Sequence, residues 1–166
     1  MAAVAIAMHM GVPVECIRKA VAEFKAVEHR IEFVREVGGV KYYNDSKGTN
    51  PDAAIKAVEA MVTPTVVIGG GYDKQSSYEE WIASFGDKVK CLVLLGATAD
   101  KIEATARKAG FTNIVRVGSL KEAVEASAVQ AQSGDAVLLS PACASWDMFK
   151  SYEQRGTLFK EYVNQL

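Results

Sequence analysis

The chain has 166 residues, 49% of them hydrophobic and 23% charged, which suffices for one full core and points to a single main domain. Its formal net charge of -1 gives no bulk-charge support for nucleic-acid binding. No stretch approaches the roughly 20 apolar residues of a membrane span, and the three scattered cysteines, Cys16, Cys91 and Cys143, suit reduced thiols in a cytoplasmic protein better than a disulfide framework.

The opening "MAAVAIAMHMG" lacks the basic start of a signal peptide and reads as an uncapped helix. It breaks at Gly11-Val12-Pro13 and is followed by a second helix, "VECIRKAVAEFKAV". Met1 therefore reads as an artificial boundary or an internal methionine of a longer protein. On that reading residues 1–28 are the tail of a preceding domain, and residues 29–166 form the domain proper. "IEFVREVGGVKYYN" is two extended runs joined by Gly38-Gly39, which supply the positive φ angles of a tight hairpin. After it comes "NDSKGTNPDAA", with Asn50 as N-cap, Pro51 at the first helical position, and Ala54, Ile55, Val58 and Met61 at helical spacing.

From residue 65 the runs "TVVIGG", "KCLVLLG", "NIVRVG" and "DAVLLSP" have the composition of strands buried on both faces. Helical segments are expected near residues 78–85, 98–109, 119–132 and 147–164. Ser119 with Glu122 forms a capping-box pattern, and Gly110 fits a helix C-terminus. The alternation predicts an α/β domain: a Rossmann-like, mostly parallel sheet with one antiparallel hairpin strand and helices on both faces. Ligands of such sheets bind beyond the carboxyl ends of the strands. "NDSKGTN", "GGGYDK", "GATAD" and "SPACASWDMF" all follow strands, so these loops are expected to converge on one rim.

The individual motifs have plain structural readings beside the functional ones. "GGGYDK" is neither G-x-G-x-x-G nor a P-loop. Its glycines allow close backbone approach to a ligand, and Lys74 offers a point charge. Ser140, Cys143 and Ser145 lack a G-x-S-x-G elbow, and His9 and His29 are expected outside the rim, which argues against a nucleophile-histidine pair. Hydroxyls and N–H groups at a helix start would instead bind an anion. Asp45 and Asp73 read as local turn acceptors rather than metal ligands. His29-Arg30 reads as solvated surface. Lys150, Glu153 and Arg155 read as a solvated helix face, whereas Phe149, Tyr152 and Phe159 read as core.

Taken together, "HRIEFV", "NDSKGTN", "GGGYDK" and "SPACASWDMFKSYEQRG", in this order and spacing, resemble the C-terminal domain of the Mur ligases from about His29 onward. "NDSK" with "SPACAS" resembles the D-glutamate-adding branch; sister ligases and folylpolyglutamate synthetase share the architecture but differ in the first loop. The resemblance implies an ATP-dependent ligase of peptidoglycan precursor synthesis. ATP phosphorylates the carboxylate of UDP-N-acetylmuramoyl-L-alanine, the amine of D-glutamate attacks, and a tetrahedral intermediate collapses to the peptide bond and phosphate.

It also implies a pocket for D-glutamate made of Thr49, Lys74, Ser145, Trp146 and Tyr152, an ATP contact through Arg30, Asp45 and Lys47, and catalytic roles for Lys47 and Arg30. The family often has Phe where this chain has Tyr152 and Leu where it has Trp146. Its P-loop and its ligands for Mg2+ belong to a central domain with no counterpart here, so the chain alone is expected to be inactive, and no metal site is expected in it. The alternative from the pattern alone is a Rossmann-type dinucleotide-binding domain, although the phosphate fingerprint lacks its third glycine and "LVLLG" ends in Gly96 where an acidic residue would stand.

Overall fold

The computed structural model describes residues 2–24 and 27–166. Two helices come first, α1 (Ala2–His9) and α2 (Val14–Glu23), and neither contains a buried residue. The expected continuation of α2 through Lys25 and Ala26, and the uncapped start at Met1, lie outside the described residues. A six-stranded sheet follows in the order β1-β2-β6-β3-β4-β5. Its strands are β1 (Glu32–Val37), β2 (Val40–Asn44), β3 (Thr65–Gly69), β4 (Val89–Leu94), β5 (Ile114–Arg116) and β6 (Ala136–Leu139). The β1-β2 pair is antiparallel, and every other pairing is parallel. Gly38 and Gly39 turn the hairpin with φ of 57° and 80°, the left-handed angles that a two-residue turn requires.

The central strands β3, β4 and β6 are buried on both faces, and their side chains alternate between two cores. Val67, Leu92, Leu94 and Leu138 pack against α3 (Pro51–Ala60), α4 (Glu79–Ala83) and α5 (Ala99–Lys108) through Val58, Trp81 and Ile102. Val66, Ile68, Cys91, Val93, Val137 and Leu139 pack against α6 (Leu120–Gln130) and α7 (Tyr152–Asn164) through Val124, Phe159 and Val163. This period-2 division explains the continuous apolar runs. Local chemistry sets the helix starts. Asn50 accepts from the Ala53 N–H at 2.9 Å ahead of Pro51, and Ser119 Oγ accepts from the Glu122 N–H while the Glu122 carboxylate takes the Ser119 hydroxyl and the Gly118 N–H, a shifted form of the capping box.

The last helix begins at Tyr152, not near residue 147. Ser151 is its N-cap and accepts from the Gln154 N–H. The preceding residues stay irregular because Asp147 reaches away to accept from the Ala97 N–H at 3.0 Å. Two side chains expected in solvent are also inside. Arg155 shares the i, i+4, i+8 stripe of Phe159 and Val163 and is buried. His29 is buried against Gly156, with Asn44 Nδ2 donating to its Nδ1 at 3.0 Å. At most helical positions replacing glycine by alanine stabilises by about 1 kcal/mol. A Cβ at Gly156 would instead meet the His29 ring, so Gly156→Ala should destabilise the chain by about 1–3 kcal/mol. Urea unfolding checks the sign, and an increase in stability would contradict the packing.

Candidate functional site

β6 lies between β2 and β3, so the chain passes over it after β2 and returns to it last. Strand order therefore reverses at the carboxyl ends of β2, β6 and β3, which is where an open sheet leaves a crevice. The loops leaving these strands are bonded to one another. Gly70 N–H donates to Pro141 O at 2.9 Å, Tyr72 N–H to Ala144 O at 2.9 Å, and Gly71 N–H to Thr98 Oγ1 at 3.0 Å. The expected convergence on one rim is thus found.

It is found with a different use of the glycines. The N–H groups of Gly70, Gly71 and Tyr72 are taken up by the protein itself. A Cβ at Gly70 would meet Leu95 O, and one at Gly71 would meet Ala144 O. The backbone approached closely is the protein's own, so this turn offers no cradle to a dinucleotide phosphate. Ser140, Cys143 and Ser145 are likewise not at a helix start, because α7 begins later. Ser140 donates to Asp45 Oδ2 at 2.9 Å, and Cys143 Sγ lies 3.1 Å from Tyr78 Oη and 3.2 Å from Thr98 Oγ1. Burial pushes the Cys143 thiol up, away from the thiolate form. His29, although buried rather than solvated, is held by Asn44 and by the edge of the Tyr152 ring, and no serine or cysteine bonds it among the described residues.

Asp45 is more than a local turn acceptor. It is fully buried at the end of β2, where it takes the Ser140 hydroxyl, the Ile31 N–H at 3.3 Å and the Arg30 guanidinium at 3.6 Å. Arg30 itself is flanked by His29 and Ile31 at φ of 61° and 47°, left-handed angles that are costly for a β-branched residue. Burial pushes Asp45 up from 3.8 to about 6, and its hydrogen bonds and Arg30 offset only part of that. Between these values the folded chain keeps a proton that the unfolded chain gives up. Asp45 thus favours folding below about pH 4, and this contribution is lost as pH rises through about 6, a change of roughly 3 kcal/mol. Asp45→Asn should flatten that decline. Urea midpoints of both proteins from pH 4 to 7 test it, and parallel profiles would contradict it.

Asp73 does behave as a turn acceptor, taking the Gln75 N–H at 2.7 Å, and it also pairs with Lys101 at 3.4 Å. Behind the rim, Arg155 joins two loops. Its Nε donates to Ser46 Oγ at 3.0 Å and its Nη2 to Ser46 O at 2.9 Å, while both terminal nitrogens reach Cys143 O at 3.2 Å. Sequence reasoning missed this residue, although its place in the Phe159-Val163 stripe was the signal for burial.

The expected site residues fall into two adjoining groups. Arg30, Asp45 and Lys47 lie together: Lys47 N–H donates to His29 O at 3.0 Å, and Lys47 Nζ stands 5.8 Å from the centre of the Tyr152 ring. Thr49, Lys74 and Trp146 form the second group. Lys74 Nζ donates to Thr49 O at 3.4 Å and lies 5.3 Å from the Trp146 ring centre, while Ser145 is buried at the base of the same loop. The hydroxyls of Thr49 and Ser145 make no hydrogen bond among the described residues. Tyr152 faces the first group, beside Lys47 and His29. Next to the first group Glu28, His29 and Glu32 cluster, and Lys160 Nζ pairs with both carboxylates, at 2.6 and 3.2 Å.

Residues 29–143 match the family described as Mur ligase, glutamate ligase domain. Curated relatives include the UDP-N-acetylmuramoylalanine-D-glutamate ligases of Lachnoclostridium phytofermentans, 61% identical over 100% of this chain, and of Lachnospira eligens, 58% identical over 99% of it. The chain spans 37% of the length of each. Among solved structures, the UDP-N-acetylmuramate-alanine ligase of Thermotoga maritima superposes on 98% of this chain, and 36% of its own, with a TM-score of 0.68 at 14% identity. Mycobacterium tuberculosis folylpolyglutamate synthase, solved with ADP and AMPPCP, covers 87% of this chain and 35% of its own, with a TM-score of 0.59 at 13% identity. At such identities these two structures establish the fold alone.

Proposed function

The chain belongs to the Mur ligase family, in its glutamate ligase domain, and on that premise we propose that it is the part of an ATP-dependent ligase that presents D-glutamate to UDP-N-acetylmuramoyl-L-alanine in peptidoglycan precursor synthesis. The observation that carries the reading is the second group on the rim: the Lys74 ammonium between the Thr49 carbonyl and the Trp146 ring, with the hydroxyl-bearing Thr49 and Ser145 on the same loops. Those groups suit a small dicarboxylic amino acid, and the whole chain aligns at 61% identity with a ligase named for D-glutamate. In this reading Thr49, Lys74 and Ser145 hold the carboxylates, the backbone near Trp146 lines the pocket, the ring of Tyr152 borders it only from the Lys47 side, and the amine is left to attack.

Arg30 and Lys47 then face ATP, and Asp45, which is fully buried, stands behind Arg30 instead of meeting the nucleotide itself. Lys47 and Arg30 act catalytically by stabilising the charge that develops as phosphate passes to the alanyl carboxylate and leaves as the peptide bond forms. Asp45 keeps Arg30 in place through its ion pair. Mg2+ would neutralise phosphate charge, but the carboxylates nearest Arg30 and Lys47 are already engaged, Asp45 by Ser140 and Arg30, and Glu28 and Glu32 by Lys160. We assign the ligands of Mg2+ to the remainder of the ligase.

Residues 1–28 we read as the end of the preceding ATPase domain. Their helices bury nothing and expose Ile6, Met8, Val21 and Phe24, and the family match begins at residue 29. No described helix is long and apolar enough to cross a membrane; the cytoplasmic place of this chemistry is part of the same proposal. The test compares ADP formation by this chain with that of the full-length protein that carries it. The chain alone should form none. The full-length protein should form ADP with UDP-N-acetylmuramoyl-L-alanine and D-glutamate, and ADP formation by the chain alone would refute the division of labour.

A further inference from the structure

We propose that Trp146, braced by Tyr72, is a positioning residue for Lys74: the indole holds its ammonium where the substrate carboxylate arrives. The inference rests on the glutamate-binding reading above. Lys74 stands on an exposed loop, and a lysine there has four rotatable side-chain bonds and samples much space. Its only hydrogen bond among the described residues is the 3.4 Å contact with Thr49 O, long for a charge-assisted bond. The Trp146 ring, with its centre 5.3 Å from Nζ, supplies a second hold through the negative face of the indole.

Trp146 is 63% exposed and Tyr72 43% exposed, although the other tryptophan, Trp81, is completely buried. Two large aromatic rings left in water on one rim therefore do not serve the core. They touch each other, with centroids 5.6 Å apart at 56°, and the antiparallel bridge between Tyr72 and Ala144 fixes their loops to each other. The adjacent carboxylate does not neutralise the lysine. Asp73 is drawn off by Lys101 and by the Gln75 N–H, and Lys74 forms no ion pair among the described residues. An ammonium held in this way loses less freedom when an anion binds, which raises affinity without adding a contact to the ligand.

The test has two arms. In NMR spectra of this chain, the Lys74 ε-methylene protons should be shifted upfield by the indole ring current. That shift should persist in Trp146→Phe and vanish in Trp146→Leu. In the full-length protein, Trp146→Leu should raise the KM for D-glutamate about two- to five-fold, with kcat and the KM for ATP unchanged, and Trp146→Phe should restore it. A wild-type spectrum without the upfield shift, or a Leu variant with the wild-type KM, overturns the proposal. So does a loss of kcat common to Phe and Leu, because that is the signature of a purely structural role. If the full-length protein uses no D-glutamate at all, the functional reading falls, while the ring-current shift still decides where Lys74 is held.

Discussion

Arg155→Ala is expected to lower the unfolding free energy of the chain by about 3–5 kcal/mol and its melting temperature by roughly 10 °C. Arg155 is 2% exposed, and burial draws its guanidinium down to about 10, so it remains charged at neutral pH. Its donors all go to oxygens of the two loops that frame the site, Ser46 on one side and Cys143 and Ala144 on the other. Truncation removes several charge-assisted hydrogen bonds, leaves buried carbonyls unpaired and opens a cavity beneath the rim. Arg155→Lys keeps the charge but not the planar fork, and should recover only part of the loss. Calorimetric unfolding of the three proteins measures this. An alanine variant within about 1 kcal/mol of wild type would mean that the loops hold each other without the arginine.

The second large effect is expected at Lys74. In the full-length protein, Lys74→Ala should reduce kcat/KM for D-glutamate by about 10- to 150-fold, the equivalent of one charge-assisted hydrogen bond worth about 1.5–3 kcal/mol. Folding should be unaffected, because the side chain is exposed and crosses no core. The split between constants is informative. A rise in KM alone marks binding of the ground state, whereas an equal fall in kcat marks a contact made only in the transition state. Steady-state kinetics with D-glutamate varied at saturating ATP would separate the two, and an unchanged kcat/KM would remove Lys74 from the pocket.

The architecture was legible because its signals are local. Each buried strand announces itself as a short apolar run, and Asn50-Pro51, Ser119-Glu122 and Gly38-Gly39 write their caps and turn into residues close in sequence. The rim was legible for a topological reason: loops following parallel strands must emerge at the same edge of the sheet. What failed were inferences about single residues whose partners are distant in sequence. Arg155 finds Ser46, 109 positions away, and Ser140 finds Asp45, 95 positions away; no local pattern encodes such pairs. The default that charged residues are solvated therefore misplaced Arg155, and the default that an aspartate bonds its own turn misread Asp45. The glycines of "GGGYDK" misled in the opposite sense. Their smallness admits the loop of Ala144 rather than a ligand, and sequence alone does not distinguish the two uses.

If this rim receives D-glutamate, the full-length protein must select that amino acid. Phosphate release from ATP, with magnesium and UDP-N-acetylmuramoyl-L-alanine present, should be measured with D-glutamate, L-glutamate, L-lysine and meso-diaminopimelate in parallel. Release is expected with D-glutamate alone. Release with a different amino acid, or none from a folded protein with any of the four, would contradict it.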